Sequence, residues 1–549
     1  MVLSILIASP LTARLLTDLP GTATDHDVIS FVWNLWWTRH ALIDLGQSPF
    51  TTEMVFAPFR IDLRLHTYSL LHGLVSIPLQ SVFGVIGAFN LVVIATLAGN
   101  AYTTFLLARA VARDLTGMPW PLAPALIAAT TACLSPSILF HLRVGRPSFG
   151  SIWPIALALL FVIRLSEGRG WRYAVGLGVS LIAAMLLDYQ ILLFGMAWVA
   201  IVAVAALCFS PRWRTVSRGS LLMRIAVGVA IAGVPFAALF LPALLGAEAA
   251  GYPVPTAEDT RGYSLRVQDF LSPWFLRATF GVVLTLSTVT VALVALLRRE
   301  WNFWLVGAVV FLLLSLGVVL QPTELPLPFA FLRELPGLGQ FRTPYRFAIP
   351  ASLGLALATG VTLAEWWDGP FVRILRRSFA LMVMVMAVID ALIVSPFAAQ
   401  QPASVGAYSQ IAASSHEGLV LEVPLGVRSG TDQFGQGETL QFYQMVHGRP
   451  IINAMIARVP RKVFDYYRAS PALRLLTGEP VDVSDDEVDR DFAKQLNTLG
   501  AAFVVVHFDM LTGESRTRIL AALDRQPALE LVDETGSVRL YEVARYTGS

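Results

Sequence analysis

The chemistry-bearing residues of this chain begin at Asp25-His26-Asp27, which run directly into Val28-Ile29-Ser30-Phe31-Val32-Trp33-Asn34-Leu35-Trp36-Trp37. Two carboxylates and an imidazole stand at the start of a tryptophan-rich helix, in a chain that is mostly apolar. A carboxylate near hydrocarbon is costly and marks a candidate functional site. At a helix N-terminus the macrodipole favours negative charge, and a carboxylate there can serve as a general base. Helical spacing puts Trp33 and Trp37 on one stripe and Trp36 with His40 on another. Tryptophan anchors helices at the lipid boundary, so these stripes are expected to lie on lipid. The plainer reading is that Asp25 or Asp27 is the helix N-cap. Further on, Arg60 and Asp62 read as an ion pair, with Arg60 also a candidate substrate-binding residue, and His66 as a ligand-binding or a satisfied surface histidine.

The elements that position these residues follow from composition. The 549 residues are 55% hydrophobic and 14% charged, with mean hydropathy +0.64; soluble domains carry about 25% charged residues. The chain therefore reads as a polytopic membrane protein. Net charge is +2 and all basic side chains but Lys462 and Lys494 are arginines, a balance that implies no nucleic-acid partner. Cys133 and Cys208 lie in apolar runs and read as small buried hydrophobes. A bilayer span needs roughly 20 apolar residues. Candidate spans are 2–17, 87–110, 121–140, 149–166, 172–187, 190–209, 222–245, 278–298, 302–320, 346–366 and 378–397, giving about eleven helices.

Arginine distribution orients them. Arg109 and Arg113, then Arg164, Arg169 and Arg172, fall in alternate short loops. Arg212, Arg214, Arg218 and Arg224 follow, then Arg298 and Arg299, and finally Arg373, Arg376 and Arg377. These loops are expected on the cytoplasmic face of the plasma membrane with the N-terminus, and the long connections 18–86, 246–277 and 321–345 on the other. The apolar stretch 66–84 is then a set of helices at or dipping into the outer surface. After Ala399, Gln400-Gln401-Pro402-Ala403-Ser404 reads as a linker. The runs 419–423, 503–506 and 538–541 read as strands, and 461–476, 486–499 and 516–523 as helices. The expected architecture is mainly α: residues 1–399 as a membrane helical bundle with 18–86 as its first outer loop, and 400–549 as an extracytoplasmic α/β domain.

This layout resembles the GT-C superfamily, the integral-membrane glycosyltransferases that use polyprenyl-phosphate-linked sugars, and in particular its large bacterial members. The matching pieces are Asp27-x5-Trp33-Asn34-Leu35-Trp36-Trp37, Gly87-Ala88-Phe89-Asn90-Leu91 and Gln340-Phe341-Arg342-Thr343-Pro344-Tyr345-Arg346-Phe347. The resemblance implies that a first-loop acid acts as catalytic base or site organiser. That role falls on Asp27, with Asp25 as the alternative and His26 beside them. Members often carry a second acid in a nearby outer loop. The loop His141-Leu142-Arg143-Val144-Gly145-Arg146-Pro147 has none, and Asp188 is the substitute that topology offers.

Such a transferase needs cations for the lipid phosphate, and arginine suits them through bidentate bonding and permanent charge. Arg342 and Arg346, beside Tyr345, are the first candidates, on one helical face if the following helix begins early. Arg143 and Arg146 are the second. Snorkelling or headgroup contact is the plainer role for all four. The loop 246–277 carries acids, arginines and aromatics, a mixture that fits a sugar site or a solvated loop. Among residues 400–549, His447 and His507 are isolated and read as structural. No cofactor signature is present. Asp25, His26 and Asp27 can supply ligands to a divalent cation, but three adjacent residues rarely complete a site, so no metal site is assigned.

The expected function is transfer of a hexose or pentose, with inversion, from a polyprenyl-phosphate donor to a glycan, lipid or protein acceptor on the extracytoplasmic side. The alternative is a non-catalytic protein: a lipid-linked-sugar transporter, a polymer-export partner or an inactive scaffold.

Overall fold

The computed structural model describes residues 2–22, 25–116, 122–208, 215–298, 302–335, 337–366, 373–394 and 396–544. The side chains of Arg113, Arg212, Arg214, Arg298, Arg299, Arg373, Arg376 and Arg377 lie outside the described residues. Two compact units emerge. The first comprises residues 1–25, 69–245 and 255–401; the second comprises 26–68, 246–254 and 402–549.

The first unit is a helical bundle. Helix Leu70–Thr116 packs on Leu122–Cys133 and Trp153–Ser166. Trp153–Ser166 packs in turn on Arg172–Leu187 and Tyr189–Cys208, and Arg172–Leu187 on Arg218–Leu239. Phe303–Ser315 lies against Ala348–Trp366, which also meets Leu122–Cys133. In lipid, small residues let helix backbones approach closely. Gly178 and Gly228 do this between Arg172–Leu187 and Arg218–Leu239: a Cβ on Gly178 would stand 2.9 Å from the Gly228 carbonyl oxygen. Trp198, fully buried, fills a slot between Gly307 and Gly354 and donates from Nε1 to the Pro350 carbonyl at 3.1 Å. Buried Asn100 accepts from the Ile152 and Trp153 amides at 2.9 and 3.0 Å, so a side chain of one helix caps the start of another. Asn90, in the second of the three quoted sequence pieces, donates to the Leu15 and Asp18 carbonyls, both at 2.7 Å. Strand Leu19–Pro20 pairs with Ala399–Gln400.

Four described helices are long and apolar enough to cross a membrane, or six if each bent pair counts as one span. Trp153–Ser166, Arg172–Leu187, Phe303–Ser315 and Ser378–Val394 are shorter apolar helices. Exposed Leu286, Val289, Leu293 and Leu297 form a stripe at helical spacing, as do Met382, Val385, Ile389 and Leu392; such uncovered apolar faces are what a bilayer covers. Three of the expected spans are interrupted. The span 2–17 is a short helix, Val2–Ile7, followed by a 3-10 turn, Leu11–Arg14, whereas the division expected between 66–84 and 87–110 falls at Gly84, whose φ of 69° and ψ of 175° are non-helical. The span 121–140 bends by 50° between Cys133 and Pro136, because the residue before a proline is pushed out of the helical region. The span 278–298 starts earlier, at Pro273, and turns by 106° at Gly281.

The second unit carries a four-stranded sheet in the order Leu529–Thr535, Val538–Val543, Ala501–His507, Leu419–Val423. The last two strands are parallel and the other pairings antiparallel. Strand Leu529–Thr535 is mostly exposed and its sequence, Leu-Glu-Leu-Val-Asp-Glu-Thr, is too acidic to announce a strand. The expected helix 461–476 is two, Arg461–Ala469 and Pro471–Leu476, divided by Ser470-Pro471. Helix Asp27–Arg39 belongs to this unit and packs against the segment 438–444.

Candidate functional site

In the second unit, Asp27 is the first residue of its helix; the N-cap position is His26, whose side chain makes no capping bond. His26 Nδ1 instead lies 3.5 Å from Oε1 of Glu438, which is buried and also 3.3 Å from Arg428. Glu438 is some four hundred residues away in the chain, and no local pattern signals it. The tryptophan stripes have the expected spacing, but they do not face lipid. Trp33 and Trp37 are fully buried and stacked at 5.8 Å, and Trp36 stacks on His40 at 4.6 Å. Trp33 Nε1 donates to Gln444 at 2.6 Å, so protein covers the face that was expected to meet the bilayer.

His66 is not on the surface. Its Nδ1 accepts from the Ala457 amide at 3.0 Å, which fixes the proton on Nε2 for Asn34 Oδ1 at 3.1 Å. Burial pushes its pKa down to about 3, so it is a neutral strut. The expected Arg60–Asp62 pair is replaced: Asp62 pairs with Arg64, and Arg60 donates to Thr51 Oγ1 at 3.1 Å. His507 is not isolated either. Its Nε2 is 2.6 Å from the Tyr408 hydroxyl, which donates to the fully buried Glu422; burial raises the Glu422 pKa.

In the first unit, Asp25 closes a turn, with Oδ2 accepting from the Thr22 amide at 2.7 Å and the Thr22 hydroxyl at 2.9 Å. The main feature here is a cavity of about 290 Å³. Arg143, Arg346, Tyr345, His141 and Ser137 supply its polar lining, and Phe140, Phe275, Ile349 and Val394 part of its apolar wall. Two candidate sets from the sequence, Arg143 of one and Tyr345-Arg346 of the other, thus meet at one place. The Arg346 guanidinium lies 3.7 Å from the Phe149 ring centre and donates to Gln190 Oε1 at 3.1 Å. The Gln190 backbone N–H donates to Asp188 Oδ1 at 2.8 Å, so Asp188 caps the start of helix Tyr189–Cys208. Asp188 is buried and in extended backbone after helix Arg172–Leu187, and the Gln190 that it caps accepts from Arg346 through its side chain. Arg146 and Arg143 approach the Phe140 ring to 5.8 and 5.5 Å. His141 is 1% exposed, with no hydrogen-bond partner at Nδ1.

Arg342 and Arg346 do not share a helical face, because a 3-10 turn, Pro344–Phe347, precedes helix Ala348–Trp366. Arg342 packs on Tyr263 at 4.5 Å and is not part of the cavity lining. It stands near Asp259, whose carboxyl is held below the usual range by the Thr256 amide and hydroxyl, with Arg342 and Arg333 adding favourable charge. Among the described residues no three His, Cys, Asp or Glu side chains converge as a metal-binding group.

The architecture has counterparts among solved structures. A mutant form of arabinofuranosyltransferase AftD from Mycobacteria superimposes on all of this chain with TM-score 0.61 and 16% identity, over 41% of its own length. Another AftD structure gives TM-score 0.58 and 16% identity over 99% of this chain and 39% of that one. This chain shares the fold of the matched part of AftD. ArnT from Cupriavidus metallidurans, bound to undecaprenyl phosphate, gives TM-score 0.49 and 12% identity over 98% of this chain and 97% of that one. This chain spans about two fifths of the length of the AftD structures. No family model matches it, and no curated protein does.

Proposed function

We propose that this GT-C protein transfers a sugar from a polyprenyl-phosphate donor to an acceptor on the extracytoplasmic side of the plasma membrane. The observation that carries the reading is the cavity bearing Arg143 and Arg346, with Tyr345 and Ser137 as hydroxyl donors and apolar walls. Guanidinium groups in an apolar setting suit a lipid monophosphate: they supply fixed charge and paired N–H donors, while the walls suit the prenyl chain. The fold supports the same class of reaction. In this reading about eleven helices span the bilayer, the Arg-rich loops face the cytoplasm, and residues 402–549 lie outside.

In the transfer step, an acceptor hydroxyl oxygen attacks the anomeric carbon and the bond from that carbon to the phosphate oxygen breaks. The hydroxyl proton passes to the Asp27 carboxylate, or to that of Asp25. Polyprenyl phosphate leaves with the electron pair, its charge held by Arg143 and Arg346. Attack opposite the leaving group inverts the anomeric centre. The Gln190 side chain orients the Arg346 guanidinium, and Asp188 caps the helix that carries Gln190. The sugar is a hexose or pentose, and the acceptor a glycan, lipid or protein.

The test is transfer by purified protein supplied with polyprenyl-phosphate sugars, with Asp27→Asn and Asp25→Asn alongside. Loss of a general base costs about 100-fold or more in kcat. Equal turnover by wild type and both variants removes the acid from the mechanism.

A further inference from the structure

Asp390 is a carboxylate in the last two turns of helix Arg373–Val394, within the apolar run 379–394, and is 9% exposed. No motif in the sequence singles it out, yet an ionisable group at such a place is costly unless it has work to do. Its Oδ2 accepts from the Val282 amide at 2.6 Å, the first residue of helix Val282–Arg298. Its Oδ1 lies 3.8 Å from Arg277 Nε. Between Arg277 and Val282 stands Gly281, where the chain turns by 106° with φ of 80°. A Cβ at Gly281 would lie 2.4 Å from Asp390 Oδ2, so the glycine and the carboxylate require each other. Asp390 thus acts as the N-cap of a helix that is not its own, and also faces the last turns of helix Pro273–Phe280.

That short helix forms one wall of the cavity through Phe275, Ala278 and Thr279. Val394, one turn beyond Asp390 on its own helix, lines the same cavity. The Thr279 carbonyl accepts from Ser135 Oγ at 3.3 Å, next to Ser137. The wall is therefore held at two points, by Asp390 at the bend and by Ser135 near Thr279.

We propose that Asp390 is a positioning residue for anion binding: by clamping the bend at Gly281 it sets the wall of Phe275, Ala278 and Thr279 against Arg143 and Arg346. This rests on the reading of the cavity as the seat of a lipid phosphate. The clamp needs an acceptor for the Val282 N–H, so an amide in place of the carboxylate preserves it and an apolar side chain does not.

The test is binding of undecaprenyl monophosphate to the full chain in detergent, with undecaprenol as the neutral control, by native mass spectrometry. Wild type is expected to bind the phosphate at least about tenfold more tightly than the alcohol. Asp390→Asn stays within about threefold of wild type, and Asp390→Leu loses about tenfold or more for the phosphate alone, as a lost buried hydrogen bond to charge would give. A purely structural role would weaken both lipids together, or neither, and would overturn the proposal. Should Asp390→Leu not fold, Gly281→Ala makes the same test, since its methyl would displace the carboxylate; selective loss supports the clamp and unchanged binding overturns it. A wild type without preference for the phosphate overturns the cavity reading itself and this inference with it. A preference retained in Asp390→Leu overturns the inference alone.

Discussion

Replacing Arg346 isolates what the cavity offers an anion. Its guanidinium stacks on Phe149 at 3.7 Å, lies 5.9 Å from Tyr345 and donates to Gln190 at 3.1 Å. A desolvated cation–π contact is worth about 2 kcal/mol, so these contacts hold the fork in place before any ligand arrives. A charge-assisted hydrogen bond to the ligand contributes about 1.5–3 kcal/mol, and 1.4 kcal/mol is about tenfold in affinity. Arg346→Ala should therefore weaken binding of a polyprenyl monophosphate by about 10- to 100-fold. Arg346→Lys keeps the charge but loses the planar stack and the paired donors, and should fall between. The assay is titration of the lipid phosphate against protein in nanodiscs, with the matching alcohol as control and the melting temperature recorded. Alcohol binding should not change. If Arg346→Ala holds the phosphate as wild type does, with the same melting temperature, the cavity is not the anion site.

Other outcomes follow from the packing and the buried groups. His66 has a folded pKa of about 3, below its ordinary 6.5, so the unfolded chain binds its proton more readily. Its contribution to stability is fully present above about pH 6.5 and falls as the pH drops towards 3, by at most about 1.4 kcal/mol per pH unit. The acid-induced loss of melting temperature should be smaller in His66→Asn than in wild type; equal slopes would contradict the assignment. A methyl group at Gly354 would stand 2.6 Å from the Trp198 ring. Gly354→Ala should thus destabilise by about 1–3 kcal/mol, and Trp198→Phe should recover part of that loss in thermal unfolding. Asn100→Leu removes an acceptor shared by two buried amides and should cost about 3 kcal/mol or more, read as a lower melting temperature.

Several of these features were written locally and several were not. The spacing of Trp33, Trp36, Trp37 and His40 gave the two aromatic stripes, because helical periodicity is a local property. What covers a stripe is not local: Gln444 lies far along the chain from Trp33, and an aromatic face next to apolar spans reads equally well as lipid-facing. Arg143, Tyr345 and Arg346 stood out by charge and loop context, but their meeting at one cavity depends on helix packing. Arg342 was separated from Arg346 by a 3-10 turn that Pro344 alone does not dictate. The bend at Gly281 hides in a run whose apolar pattern continues across it. Its signal was Asp390, a single carboxylate in the apolar run 379–394, more than a hundred residues later. Asp62 bonded Arg64 rather than Arg60 because its carboxylate also caps the turn Leu63–Leu65 through the Arg64 amide.

The most direct test of the central claim is a single-turnover assay with purified protein and a radiolabelled polyprenyl-phosphate sugar, following release of polyprenyl phosphate together with label on the acceptor. Sugar transfer by wild type is the predicted result, with Asp27→Asn slowed about 100-fold in the chemical step and Arg346→Ala impaired mainly in donor binding. Donor bound by wild type at the Arg143–Arg346 cavity without turnover, across hexose and pentose donors and glycan, lipid and protein acceptors, would contradict it and leave a binding protein.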